Sequence, residues 1–391
     1  RLPGFASRQR EVKQSEENDG GMYWLHEIDA NGKPLVPFNK QVPVIPMAKH
    51  AFAVLVLMAV FGGLTCRMTP KSNPEIDVCY GPIQRFGTLG RPQRWVNVLG
   101  NVSQPEGASL AYRLNDAEPI GLTLGSDLHR LAMSGDFNVE LSWEELRIGA
   151  NRLELIKTTK SGEERRSVVI LLIADERSWP LPYSLDFADL HNLQAAVQIV
   201  DGHWQQTANG LRTRTPYYDR VISVGDSTWR DYEAVAALTI HDFTPPSPGP
   251  PTYDVTHFGM ALRWRGHTRD GLQPSRQWFP LGAQGEFLLK RDGTAHWRIL
   301  FDGRPNLPPQ RNSAVKSVRL GHPMFIKGEV RTVQDRTRYR FKQWHADEPE
   351  PADWDVEGFK PGETDYASGA LCLVPHDADV TLHTLMVRPI W

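Results

Sequence analysis

Apolar and polar residues alternate along most of this chain with the period of strands, not of helices. The stretches "WVNVLGNV" (95–102), "SLAYRL" (109–114), "DFNVELS" (136–142), "RLELIKT" (152–158) and "SVVILLI" (167–173) are each of strand length. Turn signals separate them at Asn115-Asp116, Gly125-Ser126, Gly149-Ala150-Asn151 and Ser161-Gly162. Regularly spaced short strands without helices predict a small β-sandwich over residues 93–175. A linker at 176–197 follows, in which "SLDFADLHNLQAAV" (184–197) has the pattern of a turn or two of helix. Strands then resume with "RDYEAVAALTI" (230–240), "FGMALRWRG" (258–266), "GEFLLKRD" (285–292) and "AHWRILFDG" (295–303), and continue through "VTLHTLMVRP" (380–389). Many strands and few helices over 198–391 predict two packed antiparallel sheets closed as a jelly roll.

One segment breaks the pattern. From Ala51 to Cys66 the chain carries no charged residue, slightly short of the roughly 20 apolar residues that cross a bilayer. Residues 47–67 admit two readings, a retained transmembrane anchor or a secretion signal starting at Met47, with Lys49 and His50 as its basic end. Cys66 is a lipidation candidate, although Leu64 stands one place nearer to it than in the usual bacterial lipobox. Lys33, Lys40 and Lys49 balance Arg67, Lys71 and Arg85, so basic residues do not orient the segment. Residues 1–46 read as an extended polar and Pro-rich tail, and 68–92 as a linker. The expected fold is therefore all-β, two sandwiches preceded by one hydrophobic membrane helix.

Composition adds a little. In 391 residues, 40% apolar and 23% charged, there is enough apolar surface for more than one core. The formal charge of -2 arises from interspersed signs, so no basic face points to nucleic acid.

The stretch "RLAMSGDFNVELSWEELRIGANRLEL" (130–155) resembles the immunoglobulin-like or fibronectin-like modules of bacterial surface proteins. No Cys pair lies inside 93–175, so the antibody-type disulfide is absent. "GHWQQTANGLRTRTPYYDRVISVGDSTWRDYEAVAALTIHDF" (202–243), "FGMALRWRGH" (258–267) and "ASGALCLVPHDADVTLHTLMVRPIW" (367–391) resemble the concanavalin A-like lectin/glucanase superfamily, in its laminin-G-like branch. That resemblance implies a jelly roll over 198–391, a fold that serves lectins, hydrolases and adhesion modules alike.

Retaining glucanases of that superfamily carry Glu-x-Asp-x-x-Glu on one strand, with two carboxylates about 5 Å apart for the acid and the nucleophile. Here Glu-x-Asp occurs at Glu17/Asp19, Glu27/Asp29, Glu75/Asp77 and Glu363/Asp365, and Met22, Gly32, Tyr80 and Ser368 occupy the third position. Asp231 and Glu233 are the nearest substitute, and read as a charged strand entrance. No His-Glu-x-x-His, His-x-His or phosphate-loop pattern occurs. The expectation is a protein without catalytic residues.

Carbohydrate binding asks only for an aromatic ring to stack on a sugar and a few polar groups to read its hydroxyls. Arg263, Trp264, His267, Trp278 and Trp344 are the candidates; Trp297 is a further Trp of the same region. His257, His267 and Arg263 could converge at a strand end. A Ca²⁺ site would draw on the acidic stretches "HADEPEPADWD" (345–355) and "HDAD" (376–379). Cys79 and Cys372 are the candidate disulfide, or two lone thiols. Two functions follow. The first is a non-catalytic structural or interaction protein, anchored in a membrane through 51–66, whose β modules lie on the periplasmic or extracellular side and dock onto another protein or a larger membrane complex. The second is an envelope carbohydrate-binding protein or a divergent glycan-active enzyme.

Overall fold

Residues 74–88, 90–173, 179–190, 192–243, 256–279, 281–302, 310–311 and 315–391 are described by the structure, a computed structural model. The tail 1–46, the hydrophobic segment 51–66 and Cys66 lie outside the described residues. Among the described residues no helix is long and apolar enough to cross a membrane.

The alternation seen in the sequence becomes two sandwiches. The first pairs a three-stranded sheet with a five-stranded one. The smaller sheet has the order β1 (Ile76–Val78), β3 (Trp95–Val102), β6 (Asp136–Ser142). The larger runs β2 (Ile83–Phe86), β8 (Gly162–Leu172), β7 (Gly149–Thr159), β4 (Ser109–Leu114), β5 (Ile120–Leu122). Its β2 runs parallel to β8, while the other pairings of both sheets are antiparallel. Val98, Phe137, Val139, Leu153, Leu155 and Ile170 fill the space between the sheets. The predicted linker 68–92 thus contributes β1 and β2 to this sandwich.

The second sandwich is built from two eight-stranded antiparallel sheets. Sheet A has the order β10 (Gln198–Asp201), β13 (Val221–Val224), β23 (Ala370–His376), β15 (His257–Trp264), β16 (Ala283–Leu289), β17 (Thr294–Leu300), β18 (Gln310–Arg311), with β19 (Lys316–Ser317) also on β17. Sheet B has the order β11 (Trp204–Thr207), β12 (Gly210–Thr213), β24 (Ala378–Pro389), β14 (Tyr232–Phe243), β20 (Pro323–Val333), β21 (Arg336–His345), β22 (Val356–Pro361). The strand β9 (Tyr183–Asp186), inside the predicted linker 176–197, completes sheet B by pairing with β24. Helix α1 (Leu193–Ala196) is the single turn that the sequence anticipates there.

Strand alternation sends Phe258, Met260 and Leu262 of β15 and Phe287 of β16 inward, against Ile326 and Phe341 of sheet B. Two glycines set the closeness of the layers. A Cβ at Gly285 would lie 2.4 Å from the Phe341 ring, and one at Gly328 would lie 2.6 Å from Met260 Sδ. The other face of sheet A carries a second apolar cluster, including Val200, Ala261, Trp264, Cys372 and Val374.

Both sandwiches belong to one compact unit, residues 69–391. β3 explains why. Its residues Val96 and Val98 point into the first core, while Leu99 joins the core of the second. A strand buried on both faces holds the two sandwiches together.

Candidate functional site

The junction between the sandwiches is polar. On β3 and β6 the residues that alternate with the core, Asn97, Asn138 and Glu140, are each about 1% exposed. Burying an amide or a carboxylate costs several kcal/mol unless it is hydrogen-bonded, roughly 2–7 kcal/mol for an unpaired amide. These residues are bonded in a chain that crosses the junction. Gln93 Nε2 donates to Asn97 Oδ1 at 2.6 Å, Asn97 Nδ2 to Asn138 Oδ1 at 2.9 Å, and Asn138 Nδ2 to Asp201 Oδ1 at 3.0 Å. Arg130 closes it, with Nε 2.7 Å from Asp201 Oδ1 and Nη1 2.6 Å from Glu140 Oε1. Ser275 N donates to Glu140 Oε2 at 2.9 Å, and its carbonyl accepts from Arg130 Nη1 at 2.5 Å. Burial pushes the Asp201 carboxyl up to about 7, against the pull of the Arg130 guanidinium. Its Oδ2 accepts no hydrogen bond among the described residues.

His267 lies at this junction, as does the aromatic cluster beside it. The Trp264 and Trp278 rings stand 5.1 Å apart, and His267 lies 5.6 Å from Trp264 and 5.2 Å from Trp278. Three of the five sugar-binding candidates are thus brought together. Trp264, however, is fully buried, beneath the half-buried Trp278. His267 is held neutral, well below the usual imidazole range, by burial and then by the Arg130 and Arg94 charges. Its carbonyl accepts from Trp95 Nε1 at 2.7 Å, another tie across the junction.

Arg263 is placed elsewhere by an irregularity in β15. The register against β23 shifts between Ala261 and Trp264, and Arg263 takes φ 55°, in the left-handed region. Ala261 and Trp264 therefore share the outer cluster, and Arg263 turns to the opposite side. There its Nη2 donates to Asp231 Oδ1 and Thr332 Oγ1, both at 2.8 Å, its Nη1 to the Tyr366 carbonyl at 2.6 Å and Asp365 Oδ2 at 3.2 Å, and its Nε to the Arg230 carbonyl at 3.1 Å. This cation is a fastener for loops, with every N–H occupied, not a reader of hydroxyls. Trp344 lies on sheet B, 8% exposed and stacked 5.2 Å from Phe325, and Trp297 is interior, donating to Asp355 Oδ2.

Other expectations are redirected by the pairings observed. Asp231 accepts from Arg263 and Glu233 pairs with Lys327 at 3.0 Å, so they serve different partners. In the acidic stretch 345–355, Asp347 pairs with Arg319, Glu350 with Lys327 and Lys342, and Asp355 with Lys316. Asp379 of "HDAD" binds Arg212 through both oxygens. Cys79 and Cys372 are free thiols, a correction to the disulfide expectation. Cys79 packs against the interior core of the second sandwich, whereas Cys372 sits in the outer cluster on sheet A. His257 and His267 do not converge, because β15 separates them. His257 pairs in register with His376 at the far end of the strand.

A groove of about 410 Å³ opens beside the junction, lined by Arg91, Arg94, Arg265, Trp143 and Glu144. Arg91 lies over the Trp143 ring at 5.2 Å and Arg265 over Tyr366 at 4.9 Å. Three guanidinium groups against one carboxylate make this groove suited to acidic groups. Sequence reasoning missed it, because its arginines come from both sandwiches and form no run.

No protein-family model matches the chain, and no curated protein matches it. Solved structures with a similar trace include the metal-free exoplasmic/lumenal domain of VIP36, 11% identical over 54% of this chain and 93% of that one, with a TM-score of 0.36. The apo Crh5 transglycosylase is 8% identical over 54% and 85% of the two chains, TM-score 0.34, and peanut lectin with a 9mer peptide is 9% identical over 53% and 97%, TM-score 0.34. The two-sheet sandwich itself rests on the strand order and register of this chain.

Proposed function

We propose that this protein is a non-catalytic interaction subunit, anchored in a membrane by residues 51–66. Its immunoglobulin-like and concanavalin A-like sandwiches act as one rigid docking body for a larger assembly on the periplasmic or extracellular side. The observation that carries this reading is the closed outer face of sheet A. Where a sugar groove would need exposed rings, Trp264 is covered by Trp278, and the first sandwich is bolted over Asp201 through Arg130. The partner is a protein that presents an acidic segment to the Arg91/Arg94/Arg265 groove. Charge complementarity of this kind raises association rates and weakens with salt.

The test is sedimentation of detergent-solubilised membranes, together with a glycan array probed with the purified chain. The expected result is co-migration with one larger assembly, lost in Arg91→Glu/Arg94→Glu, and a blank array. Saturable glycan binding by a protein that sediments alone would overturn the reading.

A further inference from the structure

One cluster of side chains plays no part in docking. The residue that opens β15, His257, pairs in register with the residue that closes β23, His376, so both imidazoles project from the same face of sheet A. The rings stack with centroids 4.6 Å apart and planes 10° from parallel. Both are nearly inaccessible to solvent. The loop that precedes β13 brings Asp219 to them, with Oδ1 2.7 Å from His376 Nδ1. One donor atom from each of Asp219, His257 and His376 lies within 4.8 Å of the other two.

A second layer of carboxylates stands behind the imidazoles. Asp377 Oδ2 is 3.5 Å from His376 Nε2, and Glu286 Oε1 is 3.8 Å from His257 Nε2. Glu286 is itself held by Arg298. Tyr218 packs edge-on against His376, centroids 4.6 Å apart, and walls the cluster on the loop side. An ion pair between His376 and Asp219 accounts for one imidazole. His257, stacked upon it, adds a second imidazole, whose Nε2 lies 3.3 Å from Gln284 Nε2 and 3.8 Å from Glu286 Oε1.

We propose that Asp219, His257 and His376 form a binding site for one divalent first-row transition ion, zinc foremost. Two imidazole nitrogens and one carboxylate oxygen are a donor set for Zn²⁺ and its neighbours, whereas Ca²⁺ takes oxygen throughout. Carboxylates behind ligating imidazoles fix ring orientation and strengthen the nitrogen donor. On binding, the ion takes the His376 Nδ1 and Asp219 Oδ1 atoms now in contact, and the proton between them leaves to solvent. The ion would tie the loop before β13 to the ends of β15 and β23, whatever the protein docks with.

The test uses the full chain, stripped with a chelator and then dialysed against Zn²⁺ or Co²⁺. The expected result is one equivalent of zinc by elemental analysis, a visible Co²⁺ ligand-field spectrum of nitrogen–oxygen type, and a rise in Tm with zinc. His257→Ala, His376→Ala and Asp219→Asn should each weaken binding at least tenfold, while His322→Ala, at an exposed turn, should retain it. Stoichiometric metal retained by the His257→Ala/His376→Ala double variant would overturn the site. If that variant does not fold, the wild-type protein decides, because failure to hold zinc, or a Co²⁺ spectrum of all-oxygen type, overturns the site equally.

Discussion

Arg130 Nε lies 2.7 Å from Asp201 Oδ1, and this contact joins two sandwiches whose strands never share a sheet. Both side chains are almost fully buried. Removing one partner of a buried pair strands the other, which costs about 3–5 kcal/mol. Arg130→Met is therefore expected to lower unfolding free energy by about that amount, and to split denaturant unfolding into two transitions as the sandwiches uncouple. A single transition with a loss under about 1 kcal/mol, a surface-pair value, would show that the bridge does not hold the junction.

The same junction makes a pH prediction. The His267 pKa in the folded chain is depressed below the ordinary 6.5, by burial first and the Arg130 charge second. As pH falls below 6.5 the unfolded chain takes up this proton and the folded chain does not, so stability is lost toward acid, with a slope approaching about 1.4 kcal/mol per pH unit. Asp201 acts in the opposite sense, since its folded-state pKa of about 7 favours the protonated fold below neutrality. The sum can be shallow, so the observable is the difference between the wild type and His267→Gln. Urea midpoints from pH 7 to pH 5 should fall less steeply in the variant. Parallel curves would mean that His267 titrates in the fold as it does in the unfolded chain.

Trp264 and Trp278 discriminate packing from display. Trp264 is fully buried between sheet A and Trp278, so Trp264→Ala is expected to cost about 3–5 kcal/mol by denaturant unfolding. Trp278 is half-buried, and Trp278→Ala should cost clearly less. A Trp264→Ala variant of unchanged stability would place its ring in solvent.

Much of the architecture was legible in the chain. Period-two alternation located most of the long strands of both sandwiches, because one face of each meets the main core between its sheets. β3 and β6 show where that logic runs out. Asn97, Asn138 and Glu140 alternate as solvent-facing residues do, yet they are buried at the junction. Polar alternation marks a face that is not apolar, and says nothing about whether a second polar face covers it. The fate of Arg263 and Trp264 turned on a left-handed residue and a register shift that no side-chain pattern announces. Asp219, His257 and His376 are far apart in sequence and become neighbours only because β15 and β13 both pair with β23.

Gly285 tests how closely the sheets of the second sandwich must approach. Its Cβ would fall 2.4 Å from Phe341, inside van der Waals contact, and Phe341 is fully buried and stacked on Trp297. Gly285→Ala is expected to destabilise by about 1–3 kcal/mol. A companion Phe341→Leu substitution should recover part of the loss, because it removes the ring atoms that the new methyl meets. Additive losses in the double variant would place the strain elsewhere.

The thiols offer the last test. Burial pushes the Cys79 thiol up to about 12 and holds Cys372 well above the ordinary thiol range, so neither carries appreciable thiolate at pH 8. Thiolate is the reactive form, and a buried thiol is also shielded from reagent. In a Cys66→Ser background, Ellman's reagent should therefore leave native Cys372 unmodified and react with both remaining thiols once the chain is unfolded. Intact mass without reductant should equal the reduced mass. A mass lighter by two hydrogens, with no thiol released on unfolding, would mean that Cys79 and Cys372 are bonded. It would also mean that the outer cluster on sheet A opens far enough for Cys372 to reach the other core.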